Sequence, residues 1–252
     1  MLKRNSEDGK TKDIKMVVGL ISSVPQEGKI IAGQLGEQRQ MSGMPLREGK
    51  THGNDVIYIV SGMGKTNAAH AATVLNERFS PGIVILFGVG GAYPSAGLEV
   101  GDLAVAKKEI YGDEGVLRGD RFHGTEFIGI PLLKRDGKRY FNEFPLDRRL
   151  IRMALGSSLL VTRTVSGTFV TVSTCTGTKK RAFEFEKRFG AICENMEGAA
   201  VAHICAIYGI PVIEIRGISN IVDNRDKDKW NIGLAAEHCQ KAVLNLLKLP
   251  IT

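Results

Sequence analysis

The stretch VIYIVSGMGKTNAAHAATVLNERFSPGIVILFGVGGAY, residues 56–93, decides the fold class. It opens on Val56 to Val60, a short run rich in Val and Ile that does not alternate with polar residues. Such continuity belongs to a strand covered on both faces. A glycine-rich turn follows, and then the Ala-rich segment Thr66 to Arg78, whose composition favours helix. Ser80-Pro81-Gly82 breaks that helix, and Ile83 to Phe87 begins a second buried strand. Strand, helix and strand in this order make the repeating unit of a parallel sheet.

Outward from this unit, Met16 to Ile21, Leu103 to Ala106, Phe169 to Val172 and Val212 to Ile215 are strands of the same kind. Lys179 to Phe189, Glu197 to Tyr208 and Ile232 to Leu247 supply further helices. The second of these stops at Gly209 with Pro211 just beyond, a common helix exit. The alternation predicts an α/β fold, a three-layer α/β/α sandwich around a central mixed, largely parallel twisted sheet. Tyr111 to Phe144 mixes glycine, charge and aromatic residues without a period and reads as long loops. Residues 1–14 are polar and mixed in charge, which predicts a flexible tail ahead of a single domain over 15–249.

Composition narrows the function. Of the 252 residues, 43% are apolar, enough for a sizeable core, and the formal net charge is +7. The Lys and Arg residues are dispersed, and neither a basic helix nor aromatic–basic interleaving points to nucleic acid. No apolar run approaches the roughly 18 residues that span a bilayer. Cys175, Cys193, Cys205 and Cys239 contain no C-x-x-C pair, and Cys193 and Cys205 sit among apolar neighbours as small core residues. The expectation is a cytoplasmic protein with neither a nucleic-acid nor a membrane partner, no cofactor and no metal.

Two glycine clusters resemble nucleotide loops and fail in detail. Ser61 to Thr66 ends like a P-loop, but the first glycine of that pattern falls on Ile59. Gly88 to Tyr93 follows a strand, yet Tyr93 stands where a dinucleotide fingerprint needs a small residue. These glycines either permit tight turns or bring backbone close to a ligand, Gly90 and Gly91 among them. There is no G-x-S-x-G elbow and no H-E-x-x-H, and the five histidines do not share metal-ligand spacing; His203 reads as a core histidine. The carboxylates carry more. Glu194 and Glu197 flank Asn195-Met196 just before an Ala-rich helix, where helix capping competes with ligand binding. Glu27 follows the first strand, and Asn220 ends the segment Arg216-Gly217-Ile218-Ser219-Asn220 after the last one. Polar groups at the carboxyl ends of parallel strands converge on one crevice.

In order and spacing, Glu194-Asn195-Met196-Glu197-Gly198-Ala199-Ala200, Arg216 to Asn220, Ser61 to Lys65 and Val100-Gly101-Asp102 resemble the nucleoside phosphorylase and nucleosidase superfamily. The likeness runs from about Val17 to Leu247. Within it, Glu-Asn-Met-Glu-Gly, Tyr111 to Gly115 and Trp230 resemble the futalosine hydrolases, which release hypoxanthine on a route to menaquinone. The resemblance implies a purine nucleoside substrate, water and a homo-oligomer. It gives Glu197 the ribose hydroxyls, Met196 the apolar face of the sugar, and Glu27 the attacking water. Arg216 helps to fix that water, while Asn195, Gly90, Gly91 and Ser219 line the substrate. Asn195 departs from a position often acidic in related nucleosidases.

Asn220 stands where adenine-specific relatives usually carry Asp. An amide donates to O6 or N7 of a 6-oxopurine, which an ionised Asp cannot do. Phosphorylases of the superfamily bind phosphate with arginines near the first strand and near the third-strand loop. This chain has no Arg between Arg4 and Arg39, nor between Arg78 and Arg118. Water is therefore the expected nucleophile, with Lys65 offering a single positive charge. The futalosine 5′ extension, which ends in a carboxyphenyl group, is assigned to Arg118, Arg121, Phe122 and His123. The alternatives are a methylthioadenosine/S-adenosylhomocysteine nucleosidase, a purine nucleoside phosphorylase and a non-catalytic nucleoside-binding protein.

Overall fold

The first buried strand, β1 (Val17–Ser22), lies between two parallel neighbours. A computed structural model describes residues 16–251, so the tail expected over residues 1–14 lies outside the described residues. After β1 come α1 (Lys29–Ala32), β2 (Arg39–Met41), β3 (Met44–Thr51), β4 (Asn54–Val60), α2 (Lys65–Phe79) and β5 (Ile83–Ala92). Next is β6 (Leu103–Tyr111), then β7 (Gly115–Arg118), β8 (Arg121–Gly124), β9 (Leu133–Arg135), β10 (Lys138–Tyr140) and β11 (Glu143–Pro145). The chain ends with α3 (Arg148–Leu159), β12 (Thr164–Thr171), α4 (Lys179–Phe189), β13 (Ala191–Asn195), α5 (Gly198–Tyr208), β14 (Val212–Ile221) and α6 (Ile232–Leu247).

The main sheet is mixed, in the order β11-β6-β12-β13-β5-β1-β4-β3-β2, with β14 paired to both β5 and β6. Strands β4, β1, β5 and β14 run parallel to one another, as do β6, β12 and β13. The two sets meet at their carboxyl ends, where Cys193 pairs with Ala92 and Glu194 with Gly91. Antiparallel pairing of β14 with β6 joins the sets again, so this half of the sheet curls into a ring of five strands. Long twisted strands and the register shifts in β12 and β14 permit that curl.

Helix α2 packs on α5, and α3 on α6, giving the expected layers about the sheet. The unbroken apolar runs are buried as predicted: Val84, Ile85 and Phe87 on β5 are fully enclosed. Each such side chain contributes about 1.5–3 kcal/mol relative to exposure. No helix among the described residues is long and apolar enough to cross a membrane.

Several features differ from the sequence expectations, among them strands β2, β3 and β13, which the apolar-run criterion does not pick out. Strands β5, β6 and β14 run on past their apolar runs, because backbone pairing continues through Gly88–Gly91 and through Arg216–Asn220. The segment expected as loops, 111–144, holds short hairpins, β7 with β8 and β9 with β10. Helix α3, capped by Asp147 through the N–H groups of Arg149 and Leu150, is an element the sequence reading lacked.

Candidate active site

Where the two strand sets meet end to end, loops from both enclose a cavity of about 240 Å3. Glu27, Gly90, Gly91, Asn195, Met196, Glu197, Ser219 and Asn220 all line it. Glu27, Met196 and Glu197 directly follow the buried strands β1 and β13, and the other five lie in the carboxyl-terminal halves of β5, β13 and β14, as the crevice rule requires.

Glu27 sits on a single 3-10 turn after β1, and its side chain is 2% exposed. Its Oε2 accepts from the Ser23 N–H at 2.9 Å, the Ser23 hydroxyl at 2.6 Å and the Val24 N–H at 3.1 Å. Its Oε1 accepts from the Val89 N–H at 2.8 Å. The carboxylate thus fills a cradle of backbone donors at the ends of β1 and β5. Residue 88 is glycine for a steric reason: a Cβ there would lie 2.5 Å from Glu27 Oε1. These are the same two places where anion-binding arginines are missing from the sequence. An entering phosphate would meet a carboxylate that already holds the donors.

Glu197 precedes α5. Its Oε1 accepts from the Gly64 N–H at 3.0 Å, at the amino end of α2, where the helix dipole favours an anion. Its Oε2 lies 3.4 Å from Arg216 Nη1. Burial first, and nearby Glu27 and Glu214 as well, push its carboxyl above the ordinary value, while Arg216 and the Gly64 N–H hold it down. Arg216 stands behind the cavity wall, 1% exposed. Its Nε donates to Glu214 at 2.8 Å and its Nη1 to the Val89 carbonyl at 3.2 Å, and Nη2 has no partner among the described residues. Burial lowers its pKa, but Glu214, Glu197 and Glu27 outweigh that and raise it, so it stays charged.

Asn195 receives a structural role. Its Oδ1 accepts from the N–H groups of Glu197 at 2.9 Å and Gly198 at 2.7 Å, capping α5, and its Nδ2 donates to Glu109 at 2.6 Å. Glu194 also lines the cavity, and its carboxylate accepts from the Thr176 N–H and hydroxyl and from the Tyr93 hydroxyl. At the opposite wall the Asn220 amide is oriented. Its Oδ1 accepts from the Ser219 hydroxyl at 2.8 Å, while its Nδ2 has only the Ile221 carbonyl at 3.2 Å. Each end of the amide thus has one hydrogen bond within the protein, and one Nδ2–H is left to donate.

The sequence reading had not given Ser23, Met63, Cys175, Thr176, Val222, Arg225 or Ile232 to this cavity, nor Trp230 a place in it. Arg225 has a left-handed φ of 60° and holds its guanidinium 4.9 Å from the Trp230 ring centroid. A non-glycine residue in that conformation, beside a lone Trp, was invisible before the backbone was known. Phe122 and His123 line a different concavity, with Arg139 and Arg188, and Arg188 lies 5.0 Å from the Phe122 ring. Arg118 and Arg121 face each other at the tip of the β7–β8 hairpin, exposed. None of these four lines the cavity around Glu27. Lys65 is engaged by Asp113 at 2.5 Å and Glu114 at 3.2 Å. His203 stacks on Phe144 with centroids 4.5 Å apart, as a packing residue.

The fold and this cavity define a class. Residues 17–249 match the phosphorylase superfamily, and the chain belongs to it. Futalosine hydrolase of Thermus thermophilus is 35% identical over 196 residues, 77% of this chain and 82% of that protein. The 5′-methylthioadenosine/S-adenosylhomocysteine nucleosidase of Oceanobacillus iheyensis is 25% identical over 92% of this chain and 99% of its own length. The crystal structure of the corresponding nucleosidase from Neisseria meningitidis, in complex with methylthio-immucillin-A, superposes with a TM-score of 0.80 at 24% identity. It covers 92% of this chain and 99% of that one. Within the superfamily this chain is an enzyme of the nucleosidase kind, a hydrolase of N-glycosyl bonds.

Proposed function

We propose that the enzyme hydrolyses the N-ribosidic bond of futalosine, a 6-oxopurine nucleoside with an anionic 5′ extension, releasing hypoxanthine and dehypoxanthine futalosine for menaquinone synthesis. The observation that carries the base preference is the Asn220 amide, whose oxygen accepts from Ser219 and whose nitrogen is left to donate. A donor at this edge matches O6 of hypoxanthine, where adenine carries a 6-amino group with no acceptor; N7 accepts in both bases and does not discriminate.

In this reading Glu197 accepts from the ribose hydroxyls and Met196 packs on the sugar. Water attacks C1′ and passes a proton to Glu27, whose Oε1 accepts only one hydrogen bond within the protein. Arg216, buried behind the cavity wall, acts through Glu197, whose carboxylate it pairs with at 3.4 Å. As the C1′–N9 bond breaks, its electron pair enters the purine, and Asn220 stabilises the charge through Nδ2–H. The base takes a proton from solvent as hypoxanthine, while Glu27 returns its own to solvent. The filled cradle around Glu27 supports water over phosphate as nucleophile. Arg225 stacked on Trp230 supports an aromatic carboxylate on the 5′ side, because it joins a cation to a flat apolar surface at the cavity.

The competing substrate is methylthioadenosine or S-adenosylhomocysteine, favoured by relatives that align over nearly the whole chain. Incubation with futalosine, inosine and methylthioadenosine, with the free base read by chromatography, separates the readings. Futalosine turned over far faster than methylthioadenosine is the expected result, and the reverse order rejects the proposal.

A further inference from the structure

Two buried carboxyl groups have no part in the chemistry above. Glu109 on β6 is 0% exposed and Glu214 on β14 is 1% exposed. They approach each other over Gly198, where a Cβ would collide with Glu109 Oε1 and Glu214 Oε2. Residue 198 therefore has to be glycine for the pair to exist. Glu109 accepts from Asn195 Nδ2 at 2.6 Å and from the Thr171 hydroxyl at 2.7 Å. Glu214 accepts from Arg216 Nε at 2.8 Å.

These contacts close a ring. Glu197 is held by its backbone N–H to Asn195 and by its carboxylate to Arg216. Asn195 leads to Glu109, Arg216 leads to Glu214, and the last link is the one between the two carboxyls. Arg216 is the buried cation of a group that includes Glu27, Glu109, Glu197 and Glu214. Two ionised carboxylates in contact, away from water, would repel and open the ring; one proton between them turns the contact into a hydrogen bond.

We propose that Glu109 is a positioning residue for hydrolysis: it carries a proton, donates it in a hydrogen bond to Glu214, and so fixes Arg216 and Glu197 relative to each other. The groups that face it are Glu214 from β14 with Arg216 beyond, Cys193 and Asn195 from β13, Thr171 from β12 and Tyr111 from its own strand. Burial first, and then Glu214, push the Glu109 carboxyl well above its ordinary value, while Thr171 and Asn195 pull the other way without reversing the shift.

The test compares Glu109→Gln, the neutral isostere, with Glu109→Leu. On futalosine, the arm that rests on the proposed function, Glu109→Gln should keep kcat within about threefold of the parent. Glu109→Leu should lose about 10- to 100-fold, the range for losing hydrogen bonds to charged groups. Equal losses in both, or none in Glu109→Leu, overturn the proposal. The second arm needs no substrate and no folded Leu variant. In the unfolded chain Glu109 ionises at its ordinary value, while the folded chain retains the proton. The urea midpoint of the parent should therefore fall relative to that of Glu109→Gln as pH rises over the range above 4.5, the ordinary carboxylate value. Parallel midpoints across that range overturn the shared proton, whether or not futalosine is the substrate.

Discussion

Asn220→Asp is the substitution that separates a 6-oxopurine site from a 6-aminopurine site without changing side-chain volume. In the structure the Ser219 hydroxyl donates to Asn220 Oδ1 at 2.8 Å, and that bond survives the change because the oxygen remains. The other edge inverts. Where Nδ2 donates to the Ile221 carbonyl at 3.2 Å and, in the proposed complex, to the base, the variant places a second oxygen. Ionised, that oxygen repels both the Ile221 carbonyl and O6 of hypoxanthine; protonated, it donates to N7 and suits adenine. Loss of one donor with an opposed lone pair in its place costs about 1–3 kcal/mol, or roughly 5- to 150-fold in kcat/KM for the 6-oxo substrate. The assay is paired kcat/KM on inosine or futalosine and on methylthioadenosine, with free base measured for parent and variant. The ratio of 6-oxo to 6-amino turnover should fall by that factor. An unchanged ratio refutes the assignment of base preference to residue 220.

Further expectations rest on the same cavity. Gly88→Ala puts a Cβ 2.5 Å from Glu27 Oε1, so kcat should fall by tenfold or more. The fold should lose only about 1–3 kcal/mol, visible by thermal melting. In the proposed mechanism Glu197 binds the sugar as an ionised acceptor, and burial raises its carboxyl. kcat/KM on futalosine should therefore fall as pH drops through a value above 4.5, the ordinary carboxylate pKa, and Glu197→Gln should be poor at every pH. Arg216→Met leaves Glu197 and Glu214 buried without their cation and should destabilise by about 3–5 kcal/mol, measured by urea unfolding.

Legibility in the sequence followed burial. Helices Lys179–Phe189 and Ile232–Leu247 end where the sequence places them, because cap residues and breakers are local signals. The apolar halves of β5 and β14 were legible for the same reason; their polar and glycine continuations were not, since only the partner strand decides whether pairing goes on. Hairpins of three or four residues within 111–144 fall below any periodic signal. The Asp147 cap of α3, with Leu150, Ile151 and Ala154 buried, was a readable signal. At the site, the residues that end strands were legible through the crevice rule. Arg225 and Trp230 were not assigned, because loop geometry alone brings them to the cavity. Glu214 did leave a trace: an acid inside the apolar run Val212 to Ile215, two residues from Arg216 on the same strand. Its partner Glu109 lies 105 positions earlier (214 − 109) and only the sheet brings them together.

The central claim is hydrolysis of a 6-oxopurine nucleoside by water activated at Glu27. Its most direct measurement is product analysis after incubating the protein with futalosine in phosphate-free buffer and again with added phosphate. Hydrolysis gives hypoxanthine and dehypoxanthine futalosine in equal amounts, at a rate that phosphate does not raise. A sugar-1-phosphate product, or no release of hypoxanthine in either buffer, contradicts it.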